Sequence, residues 1–176
     1  MDMNIRRLGF IAVAMTIFAI GASAQGLGDV DSALRKQIGA SLTSYYGLKD
    51  SLVDSNSEAA STKAGEFLKA LDLIDASKMT AAQTAEWEKL GPRLRTDASH
   101  IVSNKDLGHQ REHFMKLSNN MYALVFGFKA NDAESYLHYC PMKKASWLSA
   151  SKEVKNPYYG SKMLTCGSVK ATLKKN

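Results

Sequence analysis

A helical pattern runs through residues 106–128, which read DLGHQREHFMKLSNNMYALVFGF. Their apolar side chains recur at spacings of three and four, so they would lie along one face of an α-helix. Asp106 precedes the first apolar residue and is a suitable N-cap, while Asn131 and Asp132 mark the end of the pattern. The apolar positions of this helix are Leu107, Phe114, Leu117, Met121, Leu124, Val125 and Phe128.

Three more helical patterns precede this one, and together they predict a mainly α protein. A break falls at Asp54–Ser57, and a second falls before Thr80, which forms a capping-box pattern with Gln83. Gly91-Pro92 lies inside the third pattern, so we expect a kink there or two shorter helices. Four amphipathic helices with short connections are typical of an antiparallel four-helix bundle. The apolar positions are Val30, Leu34, Ile38, Leu42, Tyr45, Leu48 and Leu52; Ala60, Ala64, Phe67, Leu68, Leu71 and Ile74; and Trp87, Leu90, Leu94, Ala98 and Ile101.

The chain loses its helical periodicity after residue 133. Residues 136–139 and 162–173 are candidate strands that would pair as a short two-stranded hairpin. Proline and glycine residues between these strands favour turns. We therefore expect residues 134–176 to form an irregular segment that contains the cysteines and packs on a helical bundle of residues 25–133, within one domain.

The N-terminus, residues 1–24, has the pattern of a secretory signal peptide. Arg6-Arg7 is a basic region, Leu8–Ile20 is an apolar run, and Ala22-Ser23-Ala24 is a small-residue cleavage site. The run of 13 residues is shorter than a typical transmembrane helix, and no later apolar run is long enough to span a bilayer. Cleavage before Gln25 would leave 152 residues, so we expect an exported, periplasmic protein that does not span the membrane.

The net charge gives no indication of a nucleic-acid partner. The formal charge of +6 falls to +5 when the leader, with Asp2, Arg6 and Arg7, is removed. A nucleic-acid-binding protein typically clusters its basic residues on one face and interleaves them with stacking aromatic residues. Here the basic residues are spread along the chain, which indicates an ordinary solvated surface.

Both cysteines lie near the C-terminus, each close to a methionine. Cys140 and Met142 are two residues apart, and Met163 and Cys166 are three apart, so a turn could point both sulfurs of each pair into one site. Thiolate and thioether groups are soft donors that favour Cu(I). His138 adds an imidazole, which also suits Cu(II) or zinc. The candidate metal ligands are Cys140, Cys166, Met163, Met142 and His138.

A structural disulfide is the alternative. Exported proteins meet an oxidising compartment, and a bond between Cys140 and Cys166 would close the long loop and contribute on the order of 3 kcal/mol. Spacing alone favours this bond over a metal site, because Cys-x-Met by itself is a weak motif. The protein would then be an interaction module that docks a partner on its helices. A catalytic redox pair is disfavoured, because the Cys-x-x-Cys spacing and a βαβ pattern are missing.

His109, Glu112 and His113 match the H-x-x-E-H pattern of one zinc metalloprotease class. On a helix the two histidines share a face and could bind a metal, with Glu112 as the general base. A third ligand is required, and no downstream helix offers a clear carboxylate. A zinc hydrolase is therefore a minor alternative to exposed histidines or to a non-catalytic site with His100 or Met115 nearby. No other catalytic pattern is present, and we predict that the protein is not an enzyme.

Short motifs follow one another in a fixed order through the C-terminal segment. They are Cys140-Pro141-Met142, Trp147-Leu148-Ser149, Asn156-Pro157-Tyr158-Tyr159-Gly160, Met163-Leu164 and Cys166-Gly167. This order resembles a bacterial exported domain family of unknown function. The family also occurs at the C-terminus of periplasmic adaptor subunits of copper/silver (heavy-metal) efflux pumps of the resistance-nodulation-division type. Upstream, the residues similar to the family's Gln-Arg…Phe…Leu-Ser segment are Gln110, Arg111, Phe114, Leu117 and Ser118.

The resemblance implies a role in metal handling. It aligns Cys140, Met142, Met163 and Cys166 with the family's sulfur residues and assigns Trp147–Gly160 to a structural framework. The chain lacks the hairpin and barrel regions of a pump adaptor, so it is similar to the free-standing form. We therefore expect a metal-binding protein of metal homeostasis or efflux, with copper as first choice and zinc as second, and a heavy-metal efflux pump component as candidate partner. Oxidation to a disulfide would abolish thiolate ligation, so the two states could alternate.

Overall fold

The computed structural model describes residues 27–176, and the predicted leader, residues 1–24, lies outside them. The described chain is mainly helical, as predicted, and carries a small antiparallel sheet after the helices. Two single 3₁₀ turns, Ala76–Lys78 and Gly160–Met163, lie between these elements. The helices and strands are α1 Ser32–Val53, α2 Ser57–Asp72, α3 Ala81–Ser103, α4 Leu107–Phe128, β1 Ser135–Cys140, β2 Ala145–Ser149 and β3 Ser168–Leu173.

Each α-helix begins at a side chain that accepts hydrogen bonds from free backbone amides. Asp31 caps α1, Asn56 caps α2 and Asp106 caps α4. Thr80 and Gln83 form a reciprocal capping box at α3, which confirms the sequence prediction. Caps of this kind contribute about 1 kcal/mol each, and they fix the residue at which each helix starts.

The third helix continues through Pro92, so the prediction of two shorter helices is wrong. Pro92 is exposed, and water can therefore reach the carbonyl of Glu88 that the proline leaves without its helical donor. Leu90 and Leu94 are buried on either side of the proline. Their packing holds both halves of the helix on the core.

The predicted apolar stripes meet in one hydrophobic core. Consecutive helices pack against one another, α1 also packs on α4, and α4 packs on β2. Within residues 27–176, no helix is both long enough and apolar enough to cross a membrane. The C-terminal segment contributes to the same core through Cys140, Ala145, Trp147, Leu148, Tyr158 and Leu173.

The sheet has three antiparallel strands in the order β2-β1-β3. The two predicted strand regions pair with each other as β1 and β3, and the prediction of a two-stranded sheet is corrected by the addition of β2. The missed strand is β2, because four of its five residues are buried and it lacks the alternation typical of a half-exposed strand. The backbone amide of Leu148 in β2 donates to the hydroxyl of Tyr45 in α1, at 3.0 Å. Tyr45 also bonds Ser118 of α4, so one buried hydroxyl connects the sheet with two helices.

Candidate metal-binding site

Cys140 and Cys166, which we call the sulfur pair, are neighbours in space. Cys140 is the last residue of β1, and Cys166 lies two residues before β3. Their Sγ atoms are 3.2 Å apart, and both are free thiols. Cys140 is fully buried and Cys166 is partly exposed, so the pair lies at the edge of the core. The two cysteines thus meet as a thiol contact without a disulfide bond.

Strand register brings the sulfur pair together. Tyr139 of β1 is paired with Ser168 of antiparallel β3, so the chain beyond Tyr139 runs past the residues that precede Ser168. Cys140 and Cys166 are the residues that meet there. The amide of Cys166 donates to the carbonyl of Met163 at 3.1 Å, which closes the turn leading into β3.

Asn156 holds the backbone on which Cys166 lies. Its side-chain amide donates to the carbonyl of Cys166 at 2.7 Å, and its side-chain oxygen accepts from the amide of Tyr158 at 2.8 Å. Asn156 is fully buried; its bond with Tyr158 is buried as well, and its bond with Cys166 is partly buried. Gly167 allows the close approach of the strands, since a Cβ there would lie 2.9 Å from the ring of Trp147.

Arg111 of α4 ties this loop to the helices. Its Nε donates to the carbonyl of Pro157 at 2.9 Å, and its Nη2 donates to the carbonyl of Leu52 at 3.0 Å and the hydroxyl of Ser55 at 2.9 Å. Gly160 lies against the guanidinium with φ of +58°, and a Cβ there would be 2.9 Å from Nη2. The segment that the sequence assigned to a framework therefore has that role in the fold.

The two thiols of the sulfur pair differ in acidity. Burial by itself raises the pKa of Cys140, but hydrogen bonds to its sulfur from the Lys143 amide, the Cys166 thiol and the Asn156 side chain outweigh burial and lower the pKa overall. The pKa of Cys166 is raised, first because its thiol donates to Cys140 and then by burial. The arrangement favours a Cys140 thiolate that accepts a hydrogen bond from the Cys166 thiol, and the thiolate is the form that binds metals.

His138 is buried on β1 and is engaged in structural contacts. Its Nε2 donates to the carbonyl of Ser151 at 3.0 Å, and its ring packs on Trp147 with centroids 5.2 Å apart. Burial lowers the pKa of His138, and the hydrogen bond to Ser151 opposes this. The ligand atoms of His138 and the sulfur pair do not all lie within 4.8 Å of one another.

The two candidate methionines have different surroundings. Met142 lies in the turn between β1 and β2 and is 66% exposed. Met163 is partly buried and ends the 3₁₀ turn that leads to Cys166. Met142 follows Cys140 by two residues, and Met163 precedes Cys166 by three, so each methionine lies close in sequence to one cysteine of the sulfur pair.

The H-x-x-E-H motif forms a second cluster. His109 and His113 of α4 meet His100 of α3, and Glu112 is exposed. Of the two neighbours that the sequence suggested for these histidines, His100 is the one that joins the cluster. Sequence reasoning missed Asp97, whose carboxylate bonds His113. The available indication was its position three residues after Leu94, on the apolar stripe of α3, where a carboxylate needs a partner.

A comparison with protein families gives a match, which lies in the helical part of the chain. A family described as "Protein of unknown function (DUF3347)" matches residues 42–133, just over half of the chain. The chain belongs to DUF3347. The match covers most of α1 and all of α2 to α4, so it includes Arg111 and the three histidines, whereas the motifs from Cys140 to Gly167 lie outside it. Neither the curated proteins nor the solved structures give a significant match.

Proposed function

We propose that this DUF3347 protein is an exported, non-enzymatic protein that binds a soft metal ion, copper in first place and zinc in second. Its setting would be metal homeostasis or efflux, with delivery to a component of a heavy-metal efflux pump. The signal-peptide pattern of residues 1–24 supports export. The four packed helices, which we take to be an antiparallel bundle, would serve as the scaffold.

The observation that carries this proposal is the pair of free Sγ atoms 3.2 Å apart. A metal–sulfur distance of about 2.3 Å lets one ion bind two sulfurs that are up to about 4.6 Å apart, so a single ion can reach both. Two thiolates favour Cu(I). Met163 is the first candidate for a third ligand because its backbone closes the turn before Cys166. Met142 and His138 remain further candidates.

Competition for Cu(I) tests the proposal. Reduced protein titrated against a chromophoric chelator is expected to bind one equivalent of Cu(I). Cys140→Ser and Cys166→Ser should each weaken binding by more than about 100-fold, since losing an outer-shell group already costs 10- to 100-fold. Met79→Leu, which replaces a partly buried thioether between α2 and α3 by a side chain of similar size and is not a candidate ligand, serves as the matched control. The sulfur site is refuted when neither serine variant changes the affinity.

The alternative function is an interaction module with a structural disulfide. The same 3.2 Å separation allows the sulfur pair to be oxidised. Phe126 is 64% exposed beside a cavity of about 430 Å³ between α4 and β3, which offers an apolar contact surface. Thiol counting on protein isolated from the exported compartment without reductant separates the two functions. A complete disulfide that persists in mild reductant supports the interaction module.

A further inference from the structure

Three histidines from two helices meet where α3 and α4 adjoin, and we call them the histidine triad. His100 lies in the last turn of α3, while His109 and His113 lie one turn apart on α4. One ring nitrogen from each lies within 4.8 Å of a ring nitrogen from each of the others. Among residues 27–176, no other group of three or more His, Cys, Asp or Glu side chains comes so close.

Asp97 fixes the orientation of His113. Its Oδ1 lies 2.8 Å from Nδ1 of His113, and only 7% of Asp97 is exposed. The Nδ1–H of His113 therefore donates to the carboxylate, which leaves the lone pair of Nε2 free. A carboxylate behind the ring is the usual arrangement for a metal-binding histidine, because it sets the tautomer and makes the imidazole a stronger ligand.

His109 carries a buried nitrogen without a partner. Its Nε2 is shielded from solvent and has no hydrogen-bond partner in the described part of the chain. A buried polar group left without a hydrogen bond costs about 1–3 kcal/mol of stability, and this cost is recovered when the group binds a ligand. A cation bound at this nitrogen would provide it.

The rings are stacked and not yet arranged around an ion. His100 and His113 lie 4.1 Å apart between centroids with planes inclined by 7°, and His109 lies 4.6 Å from His113. A tetrahedral ion with metal–nitrogen distances of about 2.0–2.1 Å holds its ligand nitrogens about 3.3 Å apart, with their lone pairs pointing at the ion. The lone pairs of two parallel, stacked rings do not converge on one point. At least one ring must therefore turn to bind an ion together with the others. His100 is exposed and is the ring with room to do so.

We propose that the histidine triad binds one borderline divalent cation, Zn²⁺ or Cu²⁺, with Asp97 orienting His113. Neutral imidazoles are the donors that suit these ions. The exposed side of His100 leaves a fourth coordination position for water. The triad shares no ligand with the sulfur pair, so this proposal is independent of the proposed function.

A chain without the two cysteine thiols isolates the triad from the sulfur pair. The Cys140→Ser/Cys166→Ser variant is titrated with Co²⁺, which reports tetrahedral coordination through visible d–d absorption. We expect these bands to saturate at one equivalent and to vanish when Zn²⁺ displaces cobalt. Far-UV circular dichroism checks the fold, and the wild-type chain with its sulfur pair oxidised is titrated in parallel. The absence of these bands in both proteins would overturn the proposal.

Single substitutions in the same background identify the ligands. His100→Ala removes an exposed ring, so we expect the helices to remain and the Zn²⁺ affinity to fall by more than about 100-fold. Asp97→Asn should weaken Zn²⁺ binding by about 10- to 100-fold, because it removes the group that sets the His113 tautomer. Glu88→Gln, which removes an exposed carboxylate on α3 about three turns before His100, is the control and should leave the affinity unchanged. Unchanged affinity in His100→Ala overturns the triad, and unchanged affinity in Asp97→Asn overturns the positioning role of Asp97.

Discussion

Single residues set the chemistry of the sulfur pair through their hydrogen bonds. Cys140 and Cys166 are identical in type and 3.2 Å apart, yet the pKa of Cys140 is lowered and the pKa of Cys166 is raised. The difference arises because the Lys143 amide donates to Cys140, at 3.5 Å, and the Cys166 thiol donates to it as well. A hydrogen bond to the charged form stabilises that form. Cys140 is therefore the first thiolate of the pair.

This asymmetry predicts how the acidity of Cys140 responds to its neighbour. Cys166→Ser keeps a hydroxyl that can donate to Cys140, whereas Cys166→Ala removes the donor. We expect the pKa of Cys140 to be higher in Cys166→Ala than in Cys166→Ser, because the thiolate loses a hydrogen bond. Each variant retains one cysteine, so the ultraviolet absorbance of the thiolate, followed against pH and corrected for tyrosinate with the Cys140→Ser/Cys166→Ser chain, reports Cys140 alone. Equal pKa values in the two variants would contradict the hydrogen bond.

At the scale of elements, Arg111 connects α4 with the loop that supports Cys166. Its guanidinium donates to Pro157 in that loop and to Leu52 and Ser55 where α1 ends. Burial lowers the pKa of Arg111, and the partners are carbonyl and hydroxyl oxygens and not a carboxylate. These uncharged oxygens need the planar fork of N–H donors of the guanidinium more than they need its positive charge.

Removal of this fork should destabilise the protein. We expect Arg111→Met to lower the free energy of unfolding by on the order of 2–3 kcal/mol, because buried carbonyl groups lose their charged donor. Arg111→Lys keeps the charge without the planar fork and should recover less than half of the loss. Urea unfolding measures both variants. Glu112→Gln is the exposed control, with an expected change within about 0.5 kcal/mol, and a change as small in Arg111→Met would contradict the role of the fork.

At the scale of the whole molecule, the helices and the sheet share one core. Trp147 and Leu148 of β2 are fully buried together with side chains of α1 and α4. Trp147 also packs edge-on against Tyr158 of the loop, with centroids 5.8 Å apart. The sheet thus has no separate core that would let it fold or unfold alone.

Cooperative unfolding follows from this shared core. The chain has two tryptophans, so in a Trp87→Phe variant the fluorescence comes from Trp147 in the sheet, while far-UV circular dichroism follows the helices. We expect both signals to change at the same urea concentration. Trp147→Phe, which reports from Trp87 in α3, is the reciprocal control. Loss of the Trp147 signal at lower urea than the helical signal would show that the sheet is a separate unit.

The helices were predictable because their patterns are local. Caps such as Asp106 and Thr80 act within one turn, and the helical spacing of apolar residues can be recognised without knowing which helix they will pack against. Strand β2 escaped prediction because it is buried on both faces, and this burial depends on packing against α4, which the local sequence of β2 does not reveal. Pro92 does not divide α3 into two helices, since packing on both sides of it overrides its local preference.

The sequence by itself determined the helical class, the starts of α3 and α4, and the residue types available for metal binding. Only the tertiary structure decided which of these candidate metal-binding side chains lie next to one another. Strand register brings Cys140 to Cys166 across 26 residues of chain, and the packing of α3 on α4 brings His100 and Asp97 to His113. The reason is physical: periodicity and caps are encoded between near neighbours, whereas a ligand set arises from contacts between distant segments that only the packed core fixes.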